Sequence, residues 1–469
     1  MAFCAPFTSC SSSSRDTAVA GVGFAADSYD LFVIGIVLVI LEHEFAESAS
    51  LVSVVASSSL AAAVVGQLLF GYLATRFGRV RLFVVTLCLI VGGTLASAAV
   101  FDAPGVSVFA MLAVTRCVLG LGIGGEYPLA ATISKEKNAA GSNTGTVMVF
   151  AMQGVGIMVA AVLFLLLAET GMPLAYMWRI LLAFGAVPGI ATMYWRVKMQ
   201  ETADYLAVTD RRLHAADWAE NRRALCGTAG TWFLLDVTLY GNGVFAAKIL
   251  KEQISGEFGE RLARTSIFNL AVAAIGFLGY IAARFTIDRF PKRRQQIVGF
   301  VAVAIVFFAL GALVTVPAVG QNLYLFAPLY GLTFFLSNWG PNTTTYVLPT
   351  IVFRARVRPF FHGISAAVGK LGAVVGTAMV APISDAWGTH AVFYISGGVA
   401  LLGALWSLWL PAADPPPHDY HELGDQPMAT LASAGVAVDV RDHEGDDERE
   451  TKQNQEANAT TTLAVELED

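Results

Sequence analysis

Charge is what this sequence has least of. Only 14% of its 469 residues are Asp, Glu, Lys or Arg, against about 25% in water-soluble domains. A chain of this length with so few charges cannot clothe a water-facing surface, which excludes an ordinary soluble enzyme and leaves the bilayer as solvent. Excess positive charge is missing too: the formal net charge is −6, which argues against a nucleic-acid partner. The cysteines are Cys4, Cys10, Cys88, Cys117 and Cys226. Their number is odd and no Cys-x-x-Cys occurs, so neither a disulfide framework nor a metal site follows. They read as small apolar residues. No redox cofactor is implied. The Ser-rich start lacks an apolar stretch before a small-residue cleavage site, so the first hydrophobic segment reads as a retained helix.

What is present is hydrophobic length. A bilayer core needs roughly 20 apolar residues per helix. Such stretches lie near 18–41, 51–74, 82–101, 107–131, 144–168, 177–197, 227–248, 266–285, 295–317, 323–349, 361–386 and 390–411, which makes about twelve spans. Loop charge orients them. Arg76, Arg79 and Arg81, Lys135 and Lys137, Arg211, Arg212, Arg222 and Arg223, Arg289 and Lys292 to Arg294, and Arg354, Arg356 and Arg358 all fall on one side. The opposite loops carry Glu42, Glu44, Glu47, Asp102 and Glu169. The basic side is expected in the cytoplasm with both termini, in a multi-pass protein of the plasma membrane.

The organisation predicted is a cytoplasmic N-terminus (1–17), a six-helix bundle (18–197), a cytoplasmic loop (198–226), a second six-helix bundle (227–411) and an acidic, disordered tail (412–469). Pro415-Pro416-Pro417 ends the last helix. Paired six-helix halves describe a common transporter architecture with its site near the midplane.

Acids and bases at membrane depth are costly, so each is a functional candidate. Asp27, Asp30, Arg116, Glu126, Asp236 and Lys370 are such residues. Arg116 and Glu126, opposite in charge on one helix, either satisfy each other or serve function. Trp232, Asp236 and Tyr240 stand four apart, on one helical face. They offer an indole N–H, a carboxyl and a phenol to one cavity, because a carboxylate facing lipid is expensive. Tyr127, Gln153 and Asn342 add neutral donors from both halves, and Lys370 adds positive charge. Gln153 and Asn342 can alternatively be interhelical ties. His362, near a helix start, reads as a cap or loop contact. Gly120-x-Gly122-x-x-Gly125 fits a dinucleotide fingerprint in form, but it lies within a span and lacks a strand before it, so it reads as a close-packing surface. Asn342-Thr-Thr344 and Asn458-Ala-Thr460 match the glycosylation sequon, yet fall inside the membrane and in the tail.

Two segments carry a wider resemblance. Gly71-Tyr-Leu-Ala-Thr75-Arg-Phe-Gly78-Arg79-Val-Arg81 resembles the loop signature of the major facilitator superfamily, with Thr75 where that family has Asp. The second half carries a degenerate counterpart, Ile287-Asp288-Arg289-Phe290-Pro291-Lys292-Arg293. The resemblance implies an all-α fold of two six-helix bundles, with gating at Gly71, Gly78, Arg79, Asp288 and Arg289. Thr75 implies either a weaker latch or a carboxylate supplied elsewhere.

Longer segments are similar to the plant and fungal high-affinity phosphate–proton symporters. They are Gly23-Phe-Ala-Ala-Asp27-Ser-Tyr-Asp30, Gly124-Gly125-Glu126-Tyr127-Pro128-Leu-Ala-Ala-Thr132-Ile133, Phe150-Ala-Met-Gln153-Gly, Trp178-Arg179, Tyr194-Trp195-Arg196 through Glu201-Thr202-Ala203, Trp232 through Tyr240, Asn338-Trp-Gly-Pro341-Asn342, and His362-Gly-Ile-Ser365 through Lys370. Glu126 replaces an Asp of that family. The resemblance implies phosphate contacts at Tyr127, Gln153, Trp232, Asp236, Tyr240 and Asn342. It implies proton roles at Asp27, Glu126 and Asp236, which the residues extend to Asp30. Asp236 beside an anion makes sense if it is protonated when phosphate binds, since burial and a neighbouring anion both favour the neutral carboxyl. Proton and anion then favour each other by the same factor, the basis of symport.

The expected function is proton-coupled phosphate transport by alternating access in a monomeric unit, not catalysis. Two other readings stay open: transport of a glycerophosphodiester, organic anion or sugar on the same fold, and a phosphate sensor that does not transport.

Overall fold

A computed structural model describes residues 12–45, 49–101, 105–138, 142–253, 258–316 and 322–411. The acidic tail and its sequon lie outside them. The helices are α1 (Ser12–Glu44), α2 (Ala49–Phe77), α3 (Arg79–Ala98), α4 (Val108–Lys137), α5 (Thr144–Glu169), α6 (Leu174–Phe184), α7 (Ala186–Lys198), α8 (Ala203–Ala207), α9 (Ala215–Gln253), α10 (Phe258–Thr286), α11 (Lys292–Leu313), α12 (Leu323–Trp339), α13 (Pro341–Val352), α14 (Arg358–Trp387) and α15 (Thr389–Trp406).

Every predicted span falls on helix. Among the described residues, 10 helices are long and apolar enough to cross a membrane. The two further predicted spans lie on α9, which is 39 residues long, and on α12–α13, which are separated by Gly340. Lipid offers backbone groups no water, so each span satisfies its own N–H and C=O groups as helix. Large apolar side chains such as Val114, Leu166, Ile305 and Leu405 are exposed, as expected where the surroundings are apolar rather than aqueous.

Three predicted boundaries differ. The N-terminal segment is already helical from Ser12, as part of α1. The loop predicted at 198–226 contains α8 and the start of α9. The last span ends at Trp406 and closes with a 3-10 turn, Ser407–Trp409.

The helix pairings of the first six spans recur in the last six. In the first, α1 packs on α5, α2 on α4, and α3 on α7; in the second, α9 packs on α14, α10 on α12, and α11 on α15. Two seams join these sets, α2 against α14 and α5 against α10. Small residues make the close contacts possible. A Cβ at Gly120 or Gly124 would collide with the backbone of Ser59 or Ala63 on α2, so the glycine-rich stretch of α4 is a packing surface.

One span is broken where polar residues gather. The sixth runs on from α6 into α7 through Gly185, which keeps helical dihedrals (φ −56°, ψ −28°) and where a Cβ would strike the Asp30 carboxyl. The tenth breaks at Gly340, which has φ −104° and ψ −106° and precedes Pro341 at the start of α13. The break leaves the Asn338 carbonyl to accept from the Thr343 hydroxyl at 2.5 Å. Discontinuous helices of this kind expose polar backbone and side chains at membrane depth.

Candidate functional site

A small cavity of about 10 Å³ lies between the two sets of helices, lined by Tyr127, Phe150, Gln153, Trp232, Asp236, Leu239, Tyr240, Asn342 and Lys370. All the residues expected to contact phosphate are therefore together, and Lys370 is with them. The stripe on α9 works as its spacing demands: Trp232, Asp236 and Tyr240 all face this space. Trp232, Asp236, Tyr127 and Lys370 are each at most 4% exposed, so these groups are largely withdrawn from solvent.

Its centre is a charge pair. Lys370 Nζ lies 3.3 Å from Asp236 Oδ2 and 2.7 Å from the Tyr240 hydroxyl. The ammonium also sits over the rings of Tyr240 and Tyr127, at 4.5 and 5.3 Å. The Tyr127 hydroxyl meets Gln153 Oε1 at 3.4 Å, which leaves the amide N–H₂ of Gln153 without a bond to that partner. Asn342 donates to the Tyr280 hydroxyl and to Asn338 Oδ1, both at 2.8 Å. Asn342 is thus an interhelical tie as well as a cavity residue.

The remaining acids form a separate network inside the first set of helices. Arg196 binds Glu126 with both terminal nitrogens, Nη1 to Oε2 at 2.8 Å and Nη2 to Oε1. Thr86 adds a hydroxyl to Oε2 at 3.2 Å. Glycine makes this possible, since a Cβ at Gly23 would overlap both Arg196 and Glu126. Asp30 accepts from Thr94 at 2.8 Å, and its backbone carbonyl accepts from Arg116 at 2.6 Å. Asp27 is buried, and neither carboxyl oxygen has a hydrogen-bond partner among the described residues.

The geometry removes one of the two readings of Arg116 and Glu126. Arg116 and Glu126 do not satisfy each other. Ten residues along an α-helix separate them by about 15 Å, and each turns to a different neighbour. His362 is also not a cap. It is fully buried in α14, with Nε2 at 3.2 Å from the Tyr346 carbonyl and its ring edge-on to Trp232 and Tyr346.

Comparison with known proteins identifies the family. Residues 20–350 match the model of the Major Facilitator Superfamily. The rice putative inorganic phosphate transporter 1-13 is 33% identical over 446 residues, covering 84% of this chain and 87% of its own. The low affinity inorganic phosphate transporter 4 of Lotus japonicus is 34% identical over 429 residues, covering 76% and 81%. The chain belongs to the inorganic phosphate transporter family of the major facilitator superfamily. It is an integral, multi-pass membrane protein of a transporter family rather than an enzyme family. A solved structure of the proton:xylose symporter XylE shares the fold, with a TM-score of 0.69 at 17% identity, covering 84% of this chain and 94% of that one.

The superfamily's loop after the second span is built here with altered parts. Thr75 caps back onto the Tyr72 carbonyl at 2.7 Å and holds no charge. The carboxylate comes from elsewhere, from Glu136 at the end of α4. Its Oε1 meets Arg79 at 3.3 Å and Arg358 at 2.8 Å, and its Oε2 accepts from Thr202 at 2.5 Å. Arg79 also donates to the Ala355 carbonyl at 2.7 Å. The cluster therefore ties the α2–α3 loop to the start of α14. Gly78 has φ +101°, a conformation other residues rarely adopt. Gly71 lies at the α2–α14 seam, where a Cβ would meet the Pro359 carbonyl.

The counterpart loop works through Asp288. Its carboxylate accepts from the Asn143 backbone at 3.0 and 3.1 Å, the Asn143 amide at 2.9 Å, the Ser142 hydroxyl at 3.1 Å and the Thr144 hydroxyl at 3.0 Å. It thus caps the N-terminus of α5 from across the seam. Partial burial alone would raise its pKa, but the Asn143 and neighbouring hydrogen bonds outweigh it and hold the carboxyl below its usual range. Arg289, expected beside it in the gate, is exposed and contributes only its backbone N–H to the turn.

Arg196, Glu136 and Arg358 carry no role on sequence alone. Glu136 is masked by its flanking lysines, and Arg358 by the basic loop it ends. The signal for Arg196 is a lone guanidinium closing an apolar span.

Proposed function

We propose that the protein moves inorganic phosphate together with protons, by rocking one set of six helices against the other around the central cavity. The observation that carries this reading is the Asp236–Lys370 pair among neutral donors from both sets. The identity to plant inorganic phosphate transporters supports phosphate as the cargo.

The pair supplies the coupling. With the cavity empty, Asp236 neutralises Lys370, and a neutral site can cross between its two orientations. Phosphate needs the ammonium, and it is repelled by the carboxylate at short range. A proton on Asp236 removes the repulsion and releases Lys370 to the anion. Each ligand thereby raises the other's affinity by one common factor. Tyr127, Gln153, Trp232, Tyr240 and Asn342 complete the donor set without adding charge, so the anion can also leave. Asp27, buried and without a hydrogen-bond partner among the described residues, is the acid in the second network best suited to carry a further proton. Glu126 is held by Arg196, and Asp30 by Thr94. The basic loops face the cytoplasm, and the Glu136 and Asp288 clusters latch that side.

Uptake of labelled phosphate into proteoliposomes tests this. An imposed inward proton gradient is expected to accelerate uptake. Asp236→Asn is expected to lower gradient-driven accumulation by about tenfold or more, a loss of roughly 1.4 kcal/mol of coupling. A gradient without effect in active vesicles would rule out symport. Unchanged accumulation by the variant would overturn the role of Asp236.

A further inference from the structure

A second cavity, of about 390 Å³, opens on the basic face between the end of α2, the start of α3 and the segment after α7. Nothing in the transport mechanism uses it. Its lining includes Arg81, Arg211, Tyr205, Glu201, Phe77 and Leu206. Arg81 is exposed and makes no hydrogen bond or ion pair with a described residue. Arg211 lies over the Tyr205 ring at 4.2 Å, and its Nε is buried without a hydrogen-bond partner. Two guanidiniums thus face one cavity with donors to offer.

The single acid of the lining pairs with neither of them and leaves the lining net positive. Glu201 accepts from the Val80 backbone at 3.2 and 3.4 Å and from the Thr202 backbone at 3.1 Å, so it serves the start of α3. The remaining wall is apolar and open: Phe77 and Leu206 are 56% and 64% exposed. Paired arginines match the oxygens of a phosphate group, and the apolar wall suits the body of an amphiphile. The site stands at the end of membrane helices on the side carrying the basic loops, where acidic headgroups concentrate.

We propose that this cavity binds the phosphate monoester of an acidic lipid headgroup, and that its occupancy steadies the closed face. The link is Tyr205. Arg79 lies over the same ring at 4.7 Å, and its terminal nitrogen reaches Glu136 and the Ala355 carbonyl across the seam. The Tyr205 hydroxyl donates to the Arg76 carbonyl at 2.9 Å. A ligand that fixes Arg211 on Tyr205 therefore fixes the platform on which the latch arginine rests.

The test is binding to the full chain in phosphatidylcholine nanodiscs. The probes are dioctanoyl phosphatidylinositol 4-phosphate, dioctanoyl phosphatidylcholine and inorganic phosphate. The phosphoinositide is expected to bind and phosphatidylcholine not. Arg81→Gln, at an exposed side chain with no partner to lose, should weaken phosphoinositide binding by about tenfold, and Arg81→Gln with Arg211→Gln by about a hundredfold. A thermal melt confirms that each variant is folded. Binding unchanged by Arg81→Gln, or equal for both lipids, overturns the site. If the variants weaken inorganic phosphate binding and leave the phosphoinositide unaffected, the lipid is the wrong source and the site takes free phosphate.

Discussion

Glu126 shows how much depends on one neighbour. On sequence it is an acid in a span, with an opposite charge ten residues earlier on the same helix. In the fold it is held by Arg196 of α7, with Gly23 leaving room for both. A charge buried without its partner is far costlier than the pair is stabilising. Arg196→Gln is therefore expected to destabilise the protein by about 3–5 kcal/mol, read as a lower denaturation midpoint in detergent. Replacing both residues, Glu126→Leu with Arg196→Met, should lose less than that single change. A double variant worse than either single one would mean that the pair acts through something other than charge compensation. The acidic residue and its depth were legible in the sequence. Its partner was not, because helix crossing rather than spacing selects which side chains meet.

At the scale of elements, the break and the seams matter more than the helices. Hydropathy locates the tenth span, and Gly340-Pro341 marks where it turns. Only packing shows that the turn brings Asn342 onto Tyr280 and Asn338 while still lining the cavity. The α2–α14 seam is closer still. A Cβ at Gly363 would overlap the Gln67 carbonyl, and one at Gly71 the Pro359 carbonyl, so backbone meets backbone there. Backbone atoms cannot rotate aside as a flexible side chain can. Gly363→Val is expected to hold this seam apart and cut phosphate uptake by more than about tenfold, the effect of losing roughly 1.4 kcal/mol from the closed form. Uptake within twofold of the parent protein would show that the seam does not need to close this tightly.

For the whole molecule, the two latches differ in how pH reaches them. Asp288 is a carboxyl held below its ordinary value of 3.8 by hydrogen bonds. Its contribution to the closed face is complete above that value and is lost only as pH falls through the lower, folded one. Between about pH 5 and pH 8 it does not titrate. Asp288→Asn is therefore expected to change the rate of phosphate uptake by the same factor across that range, leaving the shape of the pH profile intact. A profile that shifts along the pH axis would place Asp288 in proton coupling instead.

By itself, the sequence determined that the chain spans a bilayer, which loops share a side, and that Trp232, Asp236 and Tyr240 face one way. Each of these depends on local quantities: apolar length, loop charge and helical period. Tertiary structure alone decided that Lys370 neutralises Asp236, that Glu136 stands in for the carboxylate absent at Thr75, and that Asp27 has no hydrogen-bond partner among the described residues. Those outcomes depend on which helices touch, and contacts between residues 57 to 222 positions apart leave no mark in local spacing.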